Sequence, residues 1–185
     1  MSEILHIKNM VCDRCKTIVQ QILEENGYEI KQVELGEVRI EGNEFRDYKQ
    51  LEQALKKNGF ELIKGELDSL IEQIKTKIIQ KIEENDTEGI SVFLSTELGK
   101  TFSALSKIFS KSEGITIEKY IINLKVEKVK ELIQLGQLNF SEIAYSLNYK
   151  TSSHLAKQFK NTTGISMTQF KDLRKWDRKS RDQIV

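Results

Sequence analysis

The sequence predicts an α+β unit over residues 1–66, in β-α-β-β-α-β order, followed over 67–185 by an all-α unit built on two helix-turn-helix pairs. Three observations carry this reading. Up to Ile63 the apolar pattern switches between period two and period 3.6, as alternating strands and helices require. Beyond Ile90 a block of sequence recurs at an offset of 50 residues. Charge divides the chain in the same place: residues 1–66 hold 10 Lys+Arg and 13 Asp+Glu, a net of −3, and residues 67–185 hold 19 and 15, a net of +4.

Composition narrows the function classes. The 185 residues are 38% hydrophobic and 31% charged, which dissolves well and still supplies a core. No stretch of about 18 uncharged apolar residues occurs, so no membrane-spanning helix is expected. The start of the chain, Met1-Ser2-Glu3-Ile4-Leu5-His6-Ile7-Lys8, lacks the basic-then-apolar pattern of a signal peptide, and the cytoplasm is the expected compartment. Proline is absent, so breaks in structure fall to Gly, Asn, Ser and Thr. No nucleophile–base pair and no phosphate loop can be picked out, so an enzyme is not expected and no catalytic residue is assigned.

In the first unit, Leu5-His6-Ile7-Lys8 alternates as a strand does. Residues 16–26 are helical, with Ile18, Val19, Ile22 and Leu23 on one side, and Gly27 ends the helix. Val33, Leu35, Val38 and Ile40 flank Gly36 and predict a tight hairpin. Tyr48, Leu51, Ala54 and Leu55 mark a second helix, closed by Asn58-Gly59, and Phe60-Glu61-Leu62-Ile63 is the last strand. This is the split, ferredoxin-like order.

The only two cysteines of the chain, Cys12 and Cys15, fall between the first strand and the first helix. A thiolate there faces exposed backbone N–H groups, which are expected to lower its pKa. The spacing lets both sulfurs turn toward one point. Two soft thiolates suit Cu(I), which accepts few ligands, whereas Zn(II) would want four. Other readings stay open: a redox pair, or a domain kept only for protein contacts, with His6 or Asp13 as a possible added ligand. The stretch Asn9-Met10-Val11-Cys12-Asp13-Arg14-Cys15, with the later Leu55-Lys56-Lys57-Asn58-Gly59-Phe60, resembles the heavy-metal-associated domain of copper chaperones and metal-transporting ATPases. The resemblance covers about residues 3–64, with Asn9 in place of the usual Gly. It implies Cu(I) or another soft metal on Cys12 and Cys15, and assigns Met10 to packing beneath the loop.

Leu67, Leu70, Ile71, Ile74, Ile78 and Ile82 predict an amphipathic helix between the units. The repeat follows. Ser103, Leu105, Lys107, Phe109, Gly114, Ile115 and Tyr120 recur as Ser153, Leu155, Lys157, Phe159, Gly164, Ile165 and Phe170. Each copy reads as a short helix, Ile90 to Leu98 or Ser141 to Leu147, then a residue tolerant of positive φ, Gly99 or Asn148, then a second helix over 101–111 or 151–161. Small Ser95 and Ala144 stand where the paired helices would cross. Asn139 with Glu142, and Ser166 with Gln169, fit capping boxes. Between the copies, residues 116–134 form one helix. Its length is about 28 Å at 1.5 Å per residue, close to one DNA turn of about 34 Å.

The residues Leu105-Ser106, Phe109, Gly114, Tyr120, Ser141-Glu142-Ile143-Ala144, Ser153, Phe159-Lys160, Gly164-Ile165-Ser166 and Phe170-Lys171 resemble the arabinose-regulator (AraC/XylS) family of transcription regulators, over about residues 70–174. The family has Gly-Phe at Asn148-Tyr149, Phe at Leu155 and Pro at Met167. The resemblance implies a DNA-binding transcription regulator. It also places the helix over 67–82 as the first of the DNA-binding domain. The DNA-contacting faces would be Ser103, Ser106 and Lys107 in the first copy and Ser152, Ser153, His154 and Lys157 in the second. Hydroxyls and Lys make phosphate and base-edge bonds. The basic tail Lys171, Arg174, Lys175, Trp176, Arg178, Lys179 and Arg181 is a further candidate for phosphates. The expected partners are double-stranded DNA and, through the N-terminal domain or the intervening helix, a second copy of the chain. The alternative is a metal chaperone or storage protein whose helical half binds a protein partner.

Overall fold

The computed structural model describes residues 2–41, 48–173, 179 and 183–184. The chain forms two units, Met1–Lys77 and Ile78–Val185, with the division falling within the third helix.

In the first unit, β1 (Ser2–Lys8), α1 (Asp13–Glu25), β2 (Ile30–Glu34), β3 (Glu37–Glu41), α2 (Tyr48–Lys57) and β4 (Glu61–Ile63) follow in the order read from the sequence. The four strands form one antiparallel sheet, in the order β2-β3-β1-β4. Alternation decides its two faces. Leu5 and Ile7 of β1 and Val38 and Ile40 of β3 are buried, and they pack with Val19, Ile22 and Leu23 of α1 and Leu51 and Leu55 of α2. Fully burying one such side chain is worth about 1.5–3 kcal/mol. The intervening positions face outward, and Ile4 is 45% exposed there. Helix α1 starts at Asp13, three residues before the expected start at residue 16, because Cys12 takes the N-cap with extended backbone, φ −159° and ψ 167°.

Helix α3 (Glu66–Glu83) departs from the expected one-sided stripe. Ile71, Ile74, Ile78, Ile79 and Ile82 are buried, but so are Ser69, Glu72, Lys75 and Thr76, while Leu67 is exposed. The polar residues on the buried side are bonded, which is what burial demands. Glu72 accepts the backbone N–H of Asn9 at 3.0 Å, and the Thr76 hydroxyl donates back to the Glu72 carbonyl at 3.0 Å. Apolar periodicity alone cannot reveal a polar face that is satisfied by distant partners.

The second unit holds α4 (Ile90–Leu98), α5 (Phe102–Glu113), α6 (Ile117–Leu135), α7 (Phe140–Ser146), α8 (Ser152–Thr163) and α9 (Met167–Asp172). Its two copies repeat in packing as well as in sequence. The Phe109 and Tyr120 rings lie 5.4 Å apart, and their counterparts Phe159 and Phe170 lie 5.7 Å apart. Val126, Val129 and Ile133 of α6 join Ile143, Ala144, Leu155 and Phe159 in the second core. The helix ends are fixed locally. Thr101, Thr116 and Thr151 each accept a backbone N–H of the first turn, and Asn139 and Ser166 close full capping boxes with Glu142 and Gln169. Each such cap is worth about 1 kcal/mol. Gly99, Gly114, Gly136 and Gly164 end their helices with positive φ. One small residue differs from expectation. Ala144 is fully buried at its crossing, but Ser95 is only partly covered and turns its hydroxyl back to the Ser91 carbonyl at 2.8 Å. Among the described residues, no helix is long and apolar enough to cross a membrane.

Gly36 tests the packing of α3 in the first unit. It sits at φ +77°, and a Cβ built there would lie 2.9 Å from Cγ2 of the buried, β-branched Thr76. Gly36→Ala should destabilise the protein by about 1–3 kcal/mol in denaturant unfolding. Adding Thr76→Ala should recover the steric part and leave the backbone part.

Candidate nucleic-acid interface and thiol pair

Helices α5 and α8 are the second members of the two helix-turn-helix pairs. Each is anchored through its Leu and Phe at i and i+4: Leu105 with Phe109, and Leu155 with Phe159, all fully buried. The opposite faces are free. Ser103 and Lys107 of α5 are exposed, and Ser106 beside them is partly so. On α8, Ser153, His154 and Lys157 are exposed and Ser152 is partly so. At 100° per residue Ser103 and Lys107, and Ser153 and Lys157, lie opposite the buried anchors, Ser106 and His154 lie on the flanks, and Ser152, three residues before Leu155, falls on the anchored side of the first turn and is only partly exposed. His154 stands with its ring edge against Tyr149, centroids 5.4 Å apart.

Two more cations belong to the same pattern. Lys100 and Lys150 are exposed, immediately precede the N-cap threonines Thr101 and Thr151, and are themselves 50 residues apart. They sit at the positive ends of α5 and α8, where an anion is best placed to bind. The same offset that exposed the other pairs could have found them. The turns differ in one respect. In the first copy a single residue, Lys100, separates left-handed Gly99 (φ 60°) from Thr101. In the second, two residues, Tyr149 and Lys150, separate left-handed Asn148 (φ 58°) from Thr151. Of the basic tail, Lys171 is exposed and the Lys179 backbone N–H donates to Glu127 at 3.0 Å, whereas Arg174, Lys175, Trp176, Arg178 and Arg181 lie outside the described residues.

The thiol pair is built on the loop between β1 and α1. Asn9 takes φ 71°, the left-handed geometry that Gly would adopt without strain. Its backbone N–H donates to Glu72 at 3.0 Å and its side-chain amide to the Gly59 carbonyl at 2.9 Å, which secures the start of the loop. Met10 is fully buried in the core. Cys12 is the N-cap of α1 and Cys15 lies in its first turn; both are partly buried, with their sulfurs 3.0 Å apart.

Burial first, and the hydrogen bond with Cys12 second, push the Cys15 thiol above its ordinary pKa. That corrects the expectation of a thiolate favoured by the helix terminus: the backbone bonds that would lower the value are outweighed by loss of solvent. Two adjacent sulfurs fit a soft ion of low coordination number. Among the described residues, no three His, Cys, Asp or Glu side chains converge, so neither His6 nor Asp13 joins them. His6 lies on β1 with Nδ1 3.6 Å from Glu37, and Asp13 pairs with Lys16 at 3.0 Å.

Alkylation of Cys15 by iodoacetamide should therefore rise with pH through a midpoint above that of a free cysteine. In Cys12→Ala the midpoint should move down, because the partner that holds the proton is gone. An equal or higher midpoint in the variant would contradict this account of the pair.

Comparison with known proteins bears on the helical half. Residues 94–172 match the helix-turn-helix domain family. Over 78 residues, 42% of this chain, the sequence is 31% identical to the Msm operon regulatory protein of Streptococcus mutans, and it spans only 28% of that protein's length. The C-terminal domain of AraT, a response regulator from Geobacillus stearothermophilus, superposes with a TM-score of 0.53 at 21% identity, covering 63% of this chain and 94% of that domain. A DNA-binding transcriptional dual regulator from Escherichia coli K-12 gives 0.47 at 20% identity, over 54% of this chain and 89% of its own. The first of these is described as an operon regulatory protein and the second as a response regulator. Over residues 94–172 the helical half of the chain is thus similar to helix-turn-helix domains.

Proposed function

We propose that this protein is a cytoplasmic, sequence-specific DNA-binding transcription regulator of the arabinose-regulator type. Its DNA-binding part is residues 67–185 and its sensor part residues 1–66. The observation that carries the reading is the duplication: two recognition helices with matched buried anchors and matched exposed cations, joined by the single helix α6. Ser103, Ser106 and Lys107 contact one major groove, and Ser152, Ser153, His154 and Lys157 the next. The 19 residues of α6 correspond to about 28 Å, which sets the grooves roughly one DNA turn apart. The two faces carry different side chains, so the half-sites differ in sequence and one monomer reads no perfect palindrome. No Arg lies on either face, which disfavours bidentate reading of guanine.

In the same reading the first unit is a ferredoxin-like, heavy-metal-associated domain. Its strand order, the buried Met10 and the paired sulfurs support this. Cys12 and Cys15 would hold a soft ion such as Cu(I), which supplies two-coordinate bonding to thiolates when bound. Because Cys15 holds its proton firmly, binding would release it, and affinity would rise with pH. The ion acts as a signal only through different affinities for two arrangements of the protein, including pairing of two copies. A 100-fold preference supplies about 2.7 kcal/mol. The sulfur pair by itself is equally compatible with a metal chaperone or store whose helical half binds a protein, and DNA binding separates the two readings.

A salt titration of duplex binding is the test. A regulator should show a steep slope of log affinity against log salt, and a chaperone should not. Lys107→Ala and Lys157→Ala should each weaken binding and reduce the slope by about one. Full affinity in both variants would remove these residues from the interface. Cys12→Ser with Cys15→Ser should abolish tight Cu(I) binding in a competition assay; retention would place any site elsewhere.

A further inference from the structure

The geometry points to Lys125 as the positioning residue of the second recognition helix, fixing the longer turn that precedes α8; this rests on the DNA-binding reading above. Lys125 lies on α6 and reaches the turn between α7 and α8. Its ammonium donates to the Leu147 carbonyl at 2.9 Å and to the Thr87 hydroxyl at 2.8 Å, and stands 5.2 Å from the centre of the Tyr149 ring. Leu147 is the C-cap of α7, so its carbonyl lies at the negative end of that helix. The cation thus meets three complementary partners: a helix-end carbonyl, a hydroxyl and an aromatic face.

The turn needs such a brace because, counted from its left-handed residue to the N-cap threonine, it is one residue longer than its counterpart. In the first copy Gly99 and Lys100 close it. In the second, Asn148, Tyr149 and Lys150 do so, and each added residue adds backbone freedom that contacts must remove. Asn148 is held by its amide, which donates to the Asn85 carbonyl at 3.1 Å. Tyr149 is held by Lys125, and it in turn touches α8 twice. Its hydroxyl donates to Gln158, and its ring meets His154. The path from Lys125 to the exposed face of α8 is therefore two contacts long. Among the described residues its partners are Thr87, Leu147 and Tyr149, none of them a candidate DNA-facing residue. Burial lowers its pKa, because an ammonium shielded from water is less readily kept charged.

The experiment compares the wild-type chain with Lys125→Met, which keeps an unbranched stem and removes the charge, and with Thr87→Val, which removes one acceptor and leaves the lysine. The probe is a duplex of about three helical turns, enriched by the wild-type protein from random sequence. Lys125→Met should lose protection over the second half-site, keep the first, and bind about tenfold more weakly overall. Thr87→Val should fall between. Amide exchange, followed without DNA, should quicken over residues 147–158 of Lys125→Met and stay unchanged in α5. Protection of both half-sites at affinity within about twofold of wild type, or unchanged exchange over 147–158, would overturn the assignment. If the wild-type protein binds no duplex, or protects one half-site alone, the regulator or two-groove reading is what fails, and the exchange measurement still decides whether Lys125 positions α8. A globally unfolded Lys125→Met, seen by circular dichroism, passes the decision to Thr87→Val: quickened exchange confined to 147–158 supports the assignment, and its absence overturns it.

Discussion

Helix α6 serves two cores along one rod. Its first turns supply Ile117 and Tyr120, which packs on Phe109 of the first copy. Its later turns supply Val126, Val129 and Ile133 to the second. An α-helix has a fixed rise, so the separation of the two copies is set by residue count and not by a flexible linker. Capping at Thr116 and Gly136 defines where the rod begins and ends. A change of one residue within it would rotate one copy against the other by about 100°. Everything proposed for paired recognition depends on that rigidity.

Around this rod the recognition helices are built by economical means. Two buried residues anchor each one, a threonine starts it and a left-handed glycine stops it. The remaining face is left to short hydroxyls and lysines. These groups attract phosphate strongly and distinguish bases weakly, because neither presents the rigid fork that arginine does. The second copy adds an aromatic–imidazole contact and a longer turn, so duplication of the framework did not produce two equal exposed faces.

The first unit combines a strained position with a soft donor pair. Asn9 accepts left-handed backbone geometry and recovers the cost through bonds to Glu72 and Gly59. That arrangement ties the cysteine loop to α3 and to the start of β4, so the loop is defined by partners far along the chain. Solvent exclusion at Cys15, together with the hydrogen bond to Cys12, outweighs its backbone hydrogen bonds, which favours the protonated thiol until a ligand displaces the proton. A weakly acidic thiol also resists casual oxidation, since the thiolate is the reactive form.

What could be read from sequence is what depends on near neighbours. Strand alternation, helix periodicity, the capping boxes at Asn139 and Ser166, and the positive φ of Asn148 are set within a few residues, and each stands in the structure. The 50-residue offset carried the pairing of Phe109 with Phe159 and of Tyr120 with Phe170, since duplicated patterns bury duplicated contacts. What only the tertiary structure decided are the contacts between residues distant in sequence. Glu72 meets Asn9 across 63 residues, and Lys125 meets Thr87 across 38 and Leu147 across 22. The burial of Ser69, Glu72, Lys75 and Thr76 on α3 belongs to the same class. A polar side chain is worth burying only where a partner waits, and no periodicity in the chain records where folding will bring that partner.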